Sequence, residues 1–442
     1  MTGRYRLGEP IAALATPHGQ SALCILRLSG EGICASAHQF FSAASRLCPH
    51  GMTYGYFLDG EGRVMDEVMV ASFPAPRSYT GEDVLEIYAH GNMFLVRTLL
   101  DRLFCLGYRA ALPGEFTYRA VLSGKMDMIK AEAIHELITA RSVRGLDHAL
   151  SRLKGNLSDL LWPVYQRLLE IASFLRMHLD YPEDEIEVLP CFSLDHEKEQ
   201  LKKLLHNSRN LEQWIHGALV VIAGRPNVGK SSLFNLLLQQ DRALVSNVAG
   251  TTRDYLEADI QLDGFPIRLI DTAGLRASKD KIEALGIQKS VDLLHKADLI
   301  IHVTDIHSEG DLPELAAHQK KILCVMNKVD LAVSPLPEGV LTISVLRNEG
   351  IERLKEQIVN MLDFETVNHG NEALMLGSIR QRELCTRAVQ HLSSFADAQA
   401  QNDLDVMAFH IQQAGTDLSE LLGKNHNDEV NATMFSQFCL GK

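Results

Sequence analysis

The segment GRPNVGKSS, Gly224 to Ser232, follows a short apolar run from Leu219 to Ala223, and this junction restricts the local fold more than any other stretch of the chain. A run of that kind reads as a buried strand. The glycine loop after it lets backbone N–H groups converge on an anion, and the helix it opens adds positive potential at its N-terminus. Lys230 then reaches the β- and γ-phosphates of a nucleotide, and Ser231 offers a hydroxyl to magnesium. An ordinary strand-turn-helix loop shares any one of these residues, so residues further along the chain decide between the two.

Three more signatures occur in order. Asp271-Thr272-Ala273-Gly274 closes an apolar strand, where a carboxylate holds magnesium through water and a glycine N–H meets the γ-phosphate. Asn327-Lys328-Val329-Asp330 ends the next buried strand: Asp330 accepts from the guanine N1 and N2 edge, Lys328 covers the ring and Asn327 fixes the loop. Adenine offers no such donors, and an unpaired buried carboxylate costs roughly 1–3 kcal/mol or more. Between the phosphate loop and Asp271, Gly250-Thr251-Thr252-Arg253-Asp254 reads as a threonine-rich switch segment able to close over magnesium and the γ-phosphate, with Ser246, Asn247, Val248 and Ala249 leading into it as further candidate nucleotide contacts. With Asn227, Val228, Gly229, Lys230, Ser231 and Ser232 in the phosphate loop, the set predicts a GTP site rather than an ATP site.

With 442 residues the chain has room for two or three domains. The net charge of −13 argues against a broad electrostatic grip on nucleic acid, so any RNA contact is local or shared with a partner. The eight cysteines include no CxxC pair, which indicates neither a zinc site nor a disulfide framework. No apolar run approaches the roughly 20 residues of a membrane span, and the opening MTGRYRLGEPIAA lacks the apolar stretch of a signal peptide, so a cytoplasmic location is expected.

Residues 1 to 120 read as mixed α/β, with strands at Ala22 to Leu28, Val64 to Phe73 and Val84 to Tyr88, and helices at Met93 to Leu106 and Phe116 to Leu122. From Leu146 to Leu175 apolar residues recur at helical spacing, predicting a long helix or helix pair that ends near Asp180. A further helix, Leu194 to Ile215, leads into the nucleotide domain at 217–365, and helical periodicity returns through Ser378 to Ala400 and Asp403 to Leu422. The simplest arrangement is a multidomain α/β plus α chain. An N-terminal α/β domain at 1–120 precedes a helical bundle, 121–216 and 366–442, interrupted by an inserted Ras-like P-loop domain.

Leu275 stands where many small GTPases carry a water-orienting glutamine, so hydrolysis needs another polar group and another positive charge. Asp280 and Glu283 are candidates for the first; Arg253, Arg276 or a bound metal ion for the second. Asn227, with backbone carbonyls from Ser246 to Thr251, composes an all-oxygen cage suited to a hard cation.

The residues closely resemble the MnmE (TrmE) tRNA modification GTPases over essentially the whole chain. The most specific matches are ATPHGQSALCILRLSG from Ala15, SYTGEDVLEIYAHG from Ser78, PGEFTYRAVLSGKMDMIKAEAIHELI from Pro113, LDYPEDEI from Leu179 and the terminal FCLGK. The resemblance implies a folate-binding, dimerising N-terminal domain, a helical domain and an inserted GTPase domain. It further implies a homodimer that works with the FAD-dependent MnmG (GidA) partner on tRNA. Together they place a carboxymethylaminomethyl or aminomethyl group on carbon 5 of the wobble uridine, the one-carbon unit coming from 5,10-methylenetetrahydrofolate, with 5-formyltetrahydrofolate as the other folate form considered. Carried over by residue, it puts folate contacts on Arg27, Glu86, Lys125 and Lys442, potassium on Asn227, Ser246, Val248 and Thr251, and magnesium on Ser231 and Thr252. The catalytic glutamate is then Glu283, and Cys439 is the thiol needed for tRNA modification. The chain departs from the family pattern at Asn92, at Leu112, at Ser344-Val345, where the family's guanine-supporting motif has alanine in second place, and in the stretch Leu418 to Val430. The rival readings are a ribosome-assembly GTPase switch, which usually carries a basic RNA-binding domain, and a metallocofactor-delivery GTPase, which calls for a His- or Cys-rich cluster.

Overall fold

The structure, a computed structural model, describes residues 7–140, 142–180, 190–209, 213, 217–241, 256–271, 293–306, 321–331, 340–362, 374–424, 434, 435, 438 and 441. The chain divides into two compact units: Met1–His135 with Ser158–Phe192 and Arg387–Lys442, and Glu136–Leu157 with Ser193–Thr386.

The first unit is built on a six-stranded sheet of order β3-β4-β5-β2-β1-β6. Its strands are β1 (Ile11–Leu14), β2 (Ser21–Gly30), β3 (Gly51–Leu58), β4 (Val64–Phe73), β5 (Asp83–Gly91) and β6 (Arg109–Ala110). All neighbours are antiparallel except β1 and β6. One face is buried beneath α1 (Ile33–Ser36) and α2 (Met93–Cys105), with Leu26, Leu28, Phe40, Phe57, Val70, Ile87 and Leu99 at its core. Asn92 caps α2 by accepting from the N–H groups of Phe94 and Leu95, so this departure from the family pattern has a local structural use. Helix α3 (Glu115–Leu122) begins at Gly114, whose φ of 70 suits glycine and where a side chain would strike the Phe435 carbonyl at 2.6 Å.

Apolar periodicity through the middle of the chain resolves into α4 (Met128–Thr139), α5 (Val143–Lys154) and α6 (Asn156–Asp180). Gly155, at φ 100, ends α5 by a left-handed cap. The helix expected over Leu194 to Ile215 is seen as α7 (Asp195–Asn207).

In the second unit, β7 (Ala218–Gly224) is buried along its whole length, as a central parallel strand must be. The sheet runs β12-β11-β10-β7-β9-β8, from β8 (Leu256–Leu262), β9 (Phe265–Asp271), β10 (Leu299–Asp305), β11 (Lys321–Asn327) and β12 (Leu341–Thr342). Only the β8–β9 pair is antiparallel. Apolar clusters fill both faces, one around Val220, Ile222, Leu233, Ile301 and Val325, the other around Val221, Ile270 and Ile300. Helix α8 (Lys230–Asp241) follows β7, α9 (Ile351–Met361) follows β12, and α10 (Ile379–Ala400) and α11 (Leu404–Leu421) close the chain's helical part. Strand order reverses at β7, between β9 and β10, so the C-terminal end of β7 is the switch point where open parallel sheets bind ligands.

Candidate functional site

Asp271, Asp305 and Asn327 are the last residues of β9, β10 and β11, so three polar side chains converge on the loop that leaves β7. Gly224 and Gly229 are required in that loop by close approach. A side chain at Gly224 would meet the Val303 carbonyl at 2.2 Å, and one at Gly229 the Asn327 Nδ2 at 2.3 Å. Asn227 takes a left-handed φ of 67, and Lys230, at the start of α8, is buried with its ammonium donating to the Arg225 carbonyl at 2.8 Å. Ser231 donates to Asp271 Oδ2 at 2.6 Å, and Asp271 is fully buried. A hydroxyl and a buried carboxylate side by side at a helix N-terminus form a hard-oxygen pair, which fits magnesium.

The loop that follows β11 is bonded directly to the loop that leaves β7. Asn327 Nδ2 donates to the Val228 carbonyl at 2.9 Å, and Lys328 Nζ to the Asn227 carbonyl at 2.7 Å. Asn327 Oδ1 accepts from the Val345 N–H at 3.2 Å, while Ser344, fully buried, donates to Asp330 Oδ1 at 2.6 Å and so aims that carboxylate. Lys328 also donates to Asp305 Oδ2 at 2.9 Å. Asp305 escaped the sequence reading because a strand-end aspartate far upstream of Asn327 belongs to no local spacing.

A second polar site lies on the other face of the first unit's sheet, beside a small apolar cluster of Ile11, Ala13, Ala111 and Phe116. Arg27 on β2 and Glu86 on β5 are direct cross-strand partners, joined through Arg27 Nη2 and Glu86 Oε1 at 2.8 Å. Arg27 Nη1 donates to the Gly441 carbonyl at 3.0 Å, and its guanidinium lies 5.6 Å from the Tyr79 ring centroid and 5.8 Å from that of Phe116. Tyr88 donates to Glu86 Oε2 at 3.1 Å. Burial, then the nearby Glu86, pushes the Tyr88 hydroxyl above its ordinary pKa and keeps it a donor. A half-buried guanidinium-carboxylate pair beside aromatic faces fits a flat polar heterocycle. Lys125 is exposed in the turn after α3, near Gly81, and no described hydrogen bond or ion pair joins it to Arg27 or Glu86.

Two family models match the chain: the MnmE helical domain over residues 128–439 and the N-terminus of the GTP-binding protein TrmE over residues 10–125. The tRNA modification GTPase MnmE of Aquifex aeolicus (strain VF5) is 35% identical, covering 98% of this chain and 100% of its own length. The Borreliella afzelii (strain PKo) protein of the same name is 37% identical, with both chains covered in full. The chain belongs to the MnmE family of tRNA modification GTPases. Among solved structures, the G domain of the T. maritima FeoB iron transporter is 31% identical over 33% of this chain and 98% of that one, at a TM-score of 0.26.

Of the site residues expected from the sequence, the structure brings together Asn227, Val228, Gly229, Lys230, Ser231, Asp271, Asn327, Lys328, Asp330 and Ser344 around one loop, with Ser232 exposed on the first turn of α8. It separately brings together Arg27 and Glu86. Ser246 to Thr252, Arg253, Thr272 to Gly274, Arg276, Asp280, Glu283, Cys439 and Lys442 lie outside the described residues.

The sequence reading also missed a buried ion network next to the second site. Arg119, fully buried, donates to Glu82 Oε2 at 2.7 Å, to Glu115 Oε1 at 2.9 Å and to the Glu9 carbonyl at 2.8 Å. Arg109 bridges Glu115 and Glu9. Burial alone would raise the Glu115 pKa, but hydrogen bonds from Arg109, the Leu112 N–H and Arg119 outweigh it and hold the carboxyl below its ordinary value. Glu115 and Arg119 sit in PGEFTYRA, one helical turn apart, which was the only local signal.

Proposed function

We propose that this chain is a GTP hydrolase that serves modification of carbon 5 of the wobble uridine in tRNA. One observation carries the nucleotide half of that reading: the guanine-reading loop is hydrogen-bonded to the phosphate loop through Asn327 and Lys328. A nucleotide that satisfies Asp330 at its base is thereby aligned with Lys230 and Ser231 at its phosphates. Ser231 and Thr252 would hold magnesium with Asp271 behind them, and Asn227, Ser246, Val248 and Thr251 would hold potassium. When bound, these ions would supply positive charge to the phosphoryl oxygens. Asp330 selects guanine, Lys230 orients the β- and γ-phosphates, and Glu283 is the residue assigned to positioning the attacking water in place of Leu275.

The family supports four parts: an N-terminal folate-binding and dimerisation domain at 1–120, helical halves at 121–216 and 366–442, and a GTPase domain at 217–365. In this reading Arg27, Glu86, Lys125 and Lys442 hold a reduced folate and Cys439 serves the tRNA reaction with an FAD-dependent MnmG partner, in the cytoplasm. No helix among the described residues is long and apolar enough to cross a membrane. Among the described residues no group of three or more His, Cys, Asp or Glu could hold a metal ion. The test is GTP turnover by the purified protein in potassium and in sodium salts, alongside titration with 5-formyltetrahydrofolate. Faster turnover in potassium with folate binding is expected; equal turnover in both salts, or no folate binding, contradicts the corresponding half.

A further inference from the structure

Lys328 and Asn227 face each other with unusual backbones. Both occupy the left-handed region, at φ 63 and φ 67, which residues other than glycine use sparsely, asparagine more readily than lysine. The turned backbone at Asn227 directs its carbonyl to the Lys328 ammonium at 2.7 Å. On the other side of that ammonium stands Asp305 Oδ2 at 2.9 Å, on a carboxylate only 11% exposed. The β10–β11 register pairs Asp305 with Asn327, the residue before Lys328, so the parallel ladder fixes the backbone that carries this carboxylate.

We propose that Asp305 is a positioning residue for guanine-nucleotide binding, acting through Lys328; the inference rests on the guanine-nucleotide reading above. A lysine side chain has four flexible carbons and a strongly hydrated head, so it does not hold one geometry unaided. Here the head is held between a phosphate-loop carbonyl and a buried carboxylate. The charged partner makes the stronger bond of the two. The stem is thereby set before a nucleotide arrives, in the position from which it covers the base, and the ordering cost is not charged to binding. Because Lys328 meets the base equally in ground and transition states, Asp305 acts on affinity and not on the chemical step.

The test uses the full-length protein and four variants, Asp305→Asn, Asp305→Ala, Lys328→Met and Asp305→Asn with Lys328→Met. Fluorescent GDP and GTP analogues report affinity, and steady-state GTP hydrolysis reports KM and kcat. Asp305→Asn, which keeps shape and an acceptor but removes charge, is expected to weaken nucleotide binding about tenfold, with kcat within about twofold. In the Lys328→Met background the same change is expected to add nothing, because its effect runs through the lysine. Unchanged affinity, an equal loss in the Lys328→Met background, or a fall in kcat without a rise in KM overturns the proposal. If Asp305→Ala fails to fold, the isosteric Asp305→Asn decides, with its nucleotide-free melting curve as the check on structure. Asp330→Asn is the control for the underlying reading: retained preference for GTP over xanthosine triphosphate removes the guanine site, whereas lost preference with Asp305→Asn unaffected removes only this inference.

Discussion

Replacing Gly229 by alanine adds one methyl group at a crowded point of the phosphate loop. The new Cβ would lie 2.3 Å from Asn327 Nδ2, far inside ordinary contact. Restoring a normal separation requires the amide to retreat by roughly 1 Å. That retreat stretches the 2.9 Å bond to the Val228 carbonyl beyond hydrogen-bond length. Gly229 also sits at φ 99, where any side chain is strained. The backbone strain is about 1–2 kcal/mol and falls on folding stability. Loss of the buried Asn327 bond costs about 1–3 kcal/mol and falls mainly on nucleotide affinity, since it unties the base-reading loop from the phosphate loop. A weakening of GDP and GTP binding by about tenfold or more is therefore expected, with a lower melting temperature in the absence of nucleotide. Fluorescent-nucleotide titration and thermal melting measure the two effects separately. Parental values in both would refute the steric argument and the role given to the Asn327–Val228 bond.

Other expected outcomes concern the first unit and the thiols. Arg119→Met removes the fully buried centre of the Glu82–Glu115 network, leaving Glu82 without its guanidinium partner and Glu115 with Arg109 alone, so chemical denaturation should show a loss of about 3 kcal/mol; a loss below about 1 kcal/mol contradicts a compensating role. Glu115 has a folded pKa held below its ordinary value near 4.5, so its contribution to stability is present above that pH and is lost as pH falls through the lower folded value. Melting followed from pH 6 to pH 3 should therefore fall more steeply for the parent than for Glu115→Gln, and parallel curves would oppose this. Burial pushes the Cys385 thiol up to about 12, so alkylation at pH 8 with mass mapping should label exposed Cys48 and Cys105 well before Cys385. Early labelling of Cys385 contradicts its burial.

The nucleotide loop was legible in the sequence because its chemistry is local: a buried strand, glycines at positions of close approach and a helix start fall within a few residues of one another. Strand β4 matched its expected range, α2, α3 and α10 differed from theirs by one residue at one end, and α11 by one residue at each end. Strand β3 was not anticipated. It is an edge strand with two glycines and alternates exposed Met52, Tyr54 and Tyr56 with inward residues, so neither composition nor a continuous apolar run marks it. Lys125 and the Arg27–Glu86 pair were grouped by resemblance, yet only the pair is joined by cross-strand register, which no single-sequence spacing reveals. The Arg119 network was equally hidden. Its members at Glu9, Glu82, Arg109 and Glu115 meet only once β1, β5, β6 and α3 have packed.

Nucleoside mass spectrometry of tRNA from cells lacking this chain, complemented with the parent or with Asp330→Asn, tests the account most directly. Loss of the carbon-5 substituent on wobble uridine, restored by the parent and not by Asp330→Asn, is the predicted result. Full wobble modification without the chain, or equal restoration by Asp330→Asn, would contradict a guanine-nucleotide hydrolase working in this reaction.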